Sequence, residues 1–149
     1  RDGSLSLYGT ESGAALRTWD AGGGAGAGLA GVAWSPSHPA VCVALDARGA
    51  LHWFNLARDL SAPVLSKAVA CPAADVADGE GSPEAGPRPT AVTGMSLGSP
   101  LHGSVKNARS LLALSFSSGE LQLHTLAPRF AEPGEDDARR LAEALAPLR

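Results

Sequence analysis

Three segments of the chain repeat one pattern, and that repeat predicts an all-β fold built of propeller blades. The pattern is a turn glycine followed by alternating large apolar residues. Gly3 precedes Leu5 and Leu7, Gly49 precedes Leu51 and Trp53, and Gly119 precedes Leu121 and Leu123. Gly3 and Gly49 lie 46 residues apart, within the roughly 40–50-residue period of four-stranded blades. Gly49 and Gly119 lie 70 apart, so the second interval holds an insertion. The stretch from Gly31 to Leu56 shows the unit most fully, as three short strands joined by tight turns. The competing reading is an unrelated antiparallel β-protein with look-alike hairpins.

The elements follow in chain order. Asp2 to Tyr8 reads as a strand of a first, truncated blade. Glu11, Ser12 and Gly13 turn it into Ala15 to Trp19, the outer strand. Residues 20–28 are glycine-rich and read as a flexible connection between blades. Within it Gly26, Gly28 and Gly31 match a G-x-G-x-x-G spacing. A nucleotide site needs a strand before that motif and a helix after it, whereas here a strand follows. Val32 to Ser35 is the next strand, and the two prolines of Pro36-Ser37-His38-Pro39 end it. Ala40 to Leu45 is nearly all apolar and rich in valine, so it is expected to be buried on both faces. Asp46 to Gly49 turn the chain into Leu51 to Leu56. Pro63 to Val69 follows as an outer strand.

Cys71 to Pro89 carries four prolines and almost no large apolar residue. It is expected to be a disordered surface insertion, and it accounts for the long second interval. Thr90 to Leu97 then stands where Val32 to Ser35 stood. Gly98 to Asn107 is a second loop. Ser110 to Phe116 is expected to be a buried strand like Ala40 to Leu45, and Glu120 to Leu126 closes the hairpin. The blades thus occupy residues 1–126. Residues 127–149 form a linker and a terminal amphipathic helix. Glu135 to Leu145 has helical spacing, with acids in its first turn and Pro147 at its end. Its apolar face is expected to be Ala138, Leu141, Ala142 and Leu145. Three turns of helix are marginal alone, so the face needs a cover. That cover is either the chain's own last blade, beside Phe130, or a partner subunit.

Composition narrows the function classes. The net charge of −3 implies no basic surface for nucleic acid. Two cysteines, Cys42 and Cys71, are too few for a disulfide scaffold or a zinc site. Cys42 reads as a small core residue in a reducing compartment. No run of about 18 apolar residues exists to span a membrane. The chain opens at Arg1, inside a blade pattern and without a signal peptide, and is expected to be the C-terminal part of a longer protein. His38, His52, His102 and His124 have no acidic neighbours at metal-ligand spacing. They are expected to be solvated or hydrogen-bonded. Ser118-Gly119 is a turn, with no histidine placed to activate the serine. No G-x-S-x-G, H-E-x-x-H or P-loop motif occurs. Trp19, Trp34 and Trp53 sit at strand positions and read as core. No enzyme, cofactor or metal site is expected.

AWSPSHPAVCVALDARGALHWFNL resembles a WD-repeat blade of a dynein intermediate chain. The tail, ALSFSSGELQLHTLAPRFAEPGEDDARRLAEALAPL, is similar to the C-terminus of the intermediate chains of dynein-2, the intraflagellar transport motor. The corresponding features are the Ser118-Gly119 turn, His124-Thr125-Leu126, the basic-aromatic link Arg129-Phe130, and the helix from Glu135 to Leu145. The Trp-Asp dipeptide that names the repeat is missing from the glycine-led strands. Leu7-Tyr8, Trp53-Phe54 and Leu123-His124 stand in its place.

The resemblance implies the C-terminal blades of a WD-repeat β-propeller with a short C-terminal α-helix. It implies a non-catalytic subunit whose propeller binds the tail of a dynein heavy chain. A second intermediate chain and the light chains would be bound through an N-terminal region not contained in this sequence. The setting implied is the intraflagellar transport train of a cilium or flagellum, with cytoplasmic and cytoskeletal association. Arg139, Arg140, Leu141 and Leu145 of the terminal helix are the expected partner-binding residues. Arginine suits a carboxylate-bearing partner because its fork is bidentate. Axonemal dynein intermediate chains, or a generic WD-repeat scaffold, are the rival assignments.

Overall fold

The computed structural model describes residues 3–11, 13–21, 28–69, 91–99 and 109–148. Among these residues nine strands form three antiparallel sheets. Sheet 1 pairs β1 (Ser4–Tyr8) with β2 (Ala15–Asp20). Sheet 2 runs β3 (Leu29–Trp34), β4 (Val41–Asp46), β5 (Ala50–Asn55) and β6 (Leu65–Ala68) in order. Sheet 3 runs β7 (Val92–Gly98), β8 (Leu111–Phe116) and β9 (Leu121–Thr125). Two helices follow, α1 (Pro128–Ala131) and α2 (Asp137–Leu145), with a closing 3₁₀ turn at Ala146–Leu148. The insertion from Cys71 to Pro89 lies outside the described residues, as do Cys71, His102, residues 22–27 of the first connection and residues 100–108 of the second loop.

The turn glycines occupy equivalent places. Gly3, Gly49 and Gly119 have φ of 78°, 83° and 88°, a region where a Cβ is strained. The Gly49 N–H donates to the Asp46 carbonyl at 3.1 Å, and the Gly119 N–H to the Phe116 carbonyl at 2.9 Å. The Gly3 carbonyl accepts the Ala21 N–H at 3.0 Å, as the Gly49 carbonyl accepts the Val69 N–H at 2.9 Å. β1, β5 and β9 are therefore one strand of the unit repeated three times.

The repeat of β3–β4 in β7–β8, expected from the sequence, extends to a register shift that the sequence reading did not include. β3 pairs β4 with a register shift between Leu29 and Gly31, and β7 pairs β8 with the same shift between Val92 and Gly94. Beyond it the partners match one for one. Trp34 stands opposite Cys42 as Leu97 stands opposite Leu112, and Gly31 opposite Leu45 as Gly94 opposite Ser115. Glycine has a steric reason at the second site: a Cβ on Gly94 would come within 2.8 Å of the Ser115 hydroxyl.

Alternation along β4 divides the core in two. Cys42 and Ala44, with Phe54 and Leu56, pack toward sheet 1 against Trp19, Ala21, Leu5 and Leu7. Val41, Val43 and Leu45, with Leu51 and Trp53, pack toward sheet 3 against Leu112, Leu114 and Phe116. All six residues of β4 are buried, as its unbroken apolar run predicts. Each large side chain so covered contributes roughly 1.5–3 kcal/mol. Burial also pushes the Cys42 thiol up to about 12, which keeps it an inert apolar filler.

Two sequence expectations fail on burial. β8 is not buried on both faces: Leu112, Leu114 and Phe116 are inside, while Leu111 is exposed. No described sheet lies over that second face. Trp34 is not core either, being 49% exposed, because its position on β3 alternates outward from Ala33.

Candidate functional site

Two surfaces stand out: the terminal segment and the outer side of sheet 3. The terminal segment begins at Leu126, whose N–H donates to the Ser110 carbonyl at 2.9 Å. α1 was missed in the sequence, although Pro128 at its first position and a preceding extended residue are a helix-start signal. Phe130 on α1 is 6% exposed and stacks on Trp53 with ring centres 4.7 Å apart. The Arg129 guanidinium lies 4.9 Å from the Phe130 ring centre. Phe130 thus closes the outer end of the junction between sheets 2 and 3.

α2 then turns back toward sheet 1. Leu141 packs on the cluster that contains Trp19 and Phe54. Leu145 borders a recess of about 390 Å³ with Leu7, Tyr8 and Leu16 of sheet 1. The helix therefore does not lie beside Phe130 on the last sheet, as expected, but crosses to the junction of sheets 1 and 2. Its inner face also differs. Asp137, Leu141, Ala144 and Leu145 are half-buried, while Ala138 and Ala142 are exposed. The spacing 137, 141, 144, 145 is as helical as the predicted one. The seated face is the one that carries Asp137, which has a partner on sheet 2.

That partner belongs to the β3–β4 turn, which holds three other elements. The Ser35 hydroxyl donates to the Phe130 carbonyl of α1 at 3.3 Å. Ser37 and Ser110 hydroxyls meet at 2.9 Å, joining sheet 2 to the start of β8. His38, only 1% exposed, lies with Nε2 3.1 Å from Asp137 Oδ2. The Ala40 N–H donates to His38 Nδ1 at 3.3 Å, so the ring proton sits on Nε2 and is donated to the carboxylate. His38 is thus hydrogen-bonded rather than solvated, and its acid comes from a helix 99 residues further along the chain.

His52 also has an acidic partner. Its Nε2 lies 3.2 Å from Asp46 Oδ2, and its Nδ1 lies 2.9 Å from the Ser66 hydroxyl. Burial alone would raise the Asp46 carboxyl. The Ala50 N–H, His52 and the Arg48 N–H outweigh it and hold the carboxyl below its usual range. The Asp–His–Ser chain crosses β4, β5 and β6 and borders neither the recess nor the groove described below. Its evident work is to fix the Asp46 turn and tie β6 to β5. Among the described residues no group of three or more His, Cys, Asp or Glu could hold a metal ion. No helix there is long and apolar enough to cross a membrane.

The four residues expected to bind a partner divide into pairs. Arg139 and Arg140 are exposed. Arg139 bridges Asp136 at 3.0 Å and Glu143 at 2.9 Å, and these two bonds raise its pKa above the usual arginine value. Leu141 and Leu145 face inward against the chain's own sheets.

The outer side of sheet 3 is the second surface. Leu121 is 62% exposed and Leu123 63%, with Leu111 beside them at 40%. In sheet 2 the far edge of β5 pairs with β6, whereas among the described residues no strand pairs with the far edge of β9. A groove of about 350 Å³ runs along that edge, floored by Leu51, Trp53, Leu114 and Phe130, with Lys67 and His124 at its rim. Neither protein-family models nor curated proteins yield a match to this sequence.

Proposed function

We propose that this chain is the C-terminal part of a WD-repeat propeller and serves as a non-catalytic intermediate-chain subunit of a dynein motor. In this reading its propeller binds the heavy-chain tail and assembles dynein-2 for retrograde intraflagellar transport. The observation that carries the propeller is the repeated register. Sheets 2 and 3 share one bulge, one strand order and one turn glycine, and each sheet offers one face to its predecessor. Units that stack head-to-tail in this way either close into a ring or run on as a solenoid. The residues left open fit a ring still to be completed. Leu111, Leu121 and Leu123 of sheet 3 correspond to Val41, Leu51 and Trp53 of sheet 2, which sheet 3 itself covers. The edge of β9 that pairs with no described strand corresponds to the edge of β5 that β6 occupies.

The dynein part of the reading rests on the residue resemblance of the central blade and of the tail. It fits a molecule with rigid sheets, exposed edges and a packed terminal segment, a form suited to binding rather than turnover. The test is co-purification of the full-length protein with the dynein-2 heavy-chain tail, with an axonemal heavy-chain tail alongside. Retention of the dynein-2 tail alone supports the assignment. Retention of the axonemal tail alone moves it to the rival family, and retention of neither overturns it.

A further inference from the structure

We propose that α2 is a detachable arm, held shut by a His38–Asp137 catch. The part that concerns binding rests on the heavy-chain reading: Leu141 and Leu145, expected from the sequence to bind a partner, can meet one only when the arm is open.

The two helices of the terminal segment are seated differently. α1 is anchored by a buried aromatic ring stacked on Trp53 and by the Ser35 bond to its backbone. No residue of α2 is fully buried. Its polar tether to the sheets is the His38 bond to Asp137. Its apolar tether is the half-buried Leu141, Ala144 and Leu145. The other polar side-chain contacts of the helix among the described residues stay within the segment from Gly134 onward. Arg139 pairs with residues three before and four after it, and Asp137 accepts the Gly134 N–H at 2.8 Å. These bonds travel with the arm, but exposed pairs on so short a helix do not keep its amides protected once the cover is lost. Between the anchor and the arm the chain has a natural hinge. Glu132 is extended, with φ −118° and ψ 115°, and Pro133 and Gly134 follow. Opening leaves no stranded group, since the His38 Nε2–H and the Asp137 carboxylate both gain access to water. The apolar cost of opening is the lost cover of the half-buried Leu141, Ala144 and Leu145 and of the part of the Trp19 and Phe54 cluster on which Leu141 packs.

Hydrogen exchange measured by mass spectrometry on the intact chain tests the arm. In the native protein the amides of Arg140 to Leu145 should exchange at least about tenfold faster than those of β4, as local opening predicts. Asp137→Ala should speed α2 by roughly another tenfold, the scale of one hydrogen bond to a charged group. The exchange of β4, β8 and Phe130 should stay as before. Asp137→Asn keeps an acceptor for both His38 and Gly134, and should restore most of the protection. Protection of α2 equal to that of β4 overturns the proposal. So does an Asp137→Ala variant in which every strand speeds up together, because α2 would then be part of the global fold. The heavy-chain reading is judged separately by co-purification: an arm that opens normally in a protein that retains no heavy chain condemns only the partner assignment.

Discussion

In sheet 2, Val41, Val43, Leu51 and Trp53 are covered by sheet 3. At the same register positions of sheet 3, Leu111, Ala113, Leu121 and Leu123 have no described sheet over them, and all but Ala113 are openly exposed. The two sheets share strand order, bulge and turn glycine, so local structure is not what separates them. What separates them is a neighbour. Burial in such a stack is a property of the interface between units, and a unit at the end of the described chain keeps its apolar face unsatisfied. The same holds for hydrogen bonds along the edge. β5 has given its far side to β6, and β9 has given its far side to no described strand. One pattern thus yields a core in one place and a binding surface in another.

The sharpest way to break this comparison is to truncate equivalent residues. Trp53 and Leu123 occupy one position of the unit. Trp53→Ala removes the ring that stacks on Phe130 and should cost about 3–5 kcal/mol. Leu123→Ala removes an exposed side chain and should stay within about 0.5 kcal/mol. Urea unfolding of both variants measures the difference. Equal losses would mean that the outer face of sheet 3 is covered in solution.

The turn glycines sharpen the other half, the claim that the units are alike. Gly49→Ala and Gly119→Ala each force a Cβ into the positive-φ region and should cost about 1–2 kcal/mol. Neither new Cβ meets a steric block. The nearest atom to that of Gly49 is Val92 Cγ2 at 3.6 Å, and nothing lies within 4 Å of that of Gly119. The two costs should therefore agree, and a twofold disagreement in the urea midpoint shifts would separate the turns.

How much of this was legible beforehand follows from where each signal lives. All nine strands could be read, because glycine turns and period-two apolar spacing are local. The all-buried β4 could be read from VCVAL, and the terminal helix from its spacing. The open face of sheet 3 could not, since Leu111, Leu121 and Leu123 look the same in sequence whether covered or bare. The seat of α2 could not be read either. It depends on a histidine in a proline turn meeting an aspartate from the far end of the chain. For the same reason the expected face held Ala138 and Ala142, whereas Ala144 is the alanine that is half-buried. The shared bulge was legible in principle, from Leu-Ala-Gly-Val and Val-Thr-Gly-Met, but glycine in a strand is a weak signal without a partner strand.

Acid should distinguish the sheets next. Asp46 of sheet 2 corresponds to Phe116 of sheet 3, so only one of the two turns is held by a carboxylate. Backbone N–H groups and His52 hold the Asp46 carboxyl below its usual range against the pull of burial. A carboxyl depressed on folding adds stability that is complete above its unfolded value, near about 3.9. That stability is lost as pH falls through the lower, folded value. The urea midpoint of the native chain should thus drop below about pH 4 more steeply than that of Asp46→Asn. Hydrogen exchange at acid pH should loosen the β4–β5 turn before the β8–β9 turn. Identical acid slopes in the two proteins would remove Asp46 as the cause.

The smallest expected effect on stability belongs to the open face itself, and its value lies in the contrast between two lengths of chain. Leu121→Lys with Leu123→Lys places two charges on a strand edge, a device that discourages pairing between edges. Among the described residues nothing covers either position, so the double change should lower the stability of this chain by no more than about 0.5 kcal/mol. It should, however, suppress self-association of the chain, seen as a smaller mass by light scattering, because an apolar face beside a free edge is adhesive. If a further blade covers this face in the full-length protein, the same two lysines become buried charges there. Uncompensated, each costs several kcal/mol. The full-length variant should then fail to fold or melt far below the native protein, while the shorter chain hardly changes. Equal tolerance at both lengths would leave the face as an outer surface, and the ring reading would lose its main support.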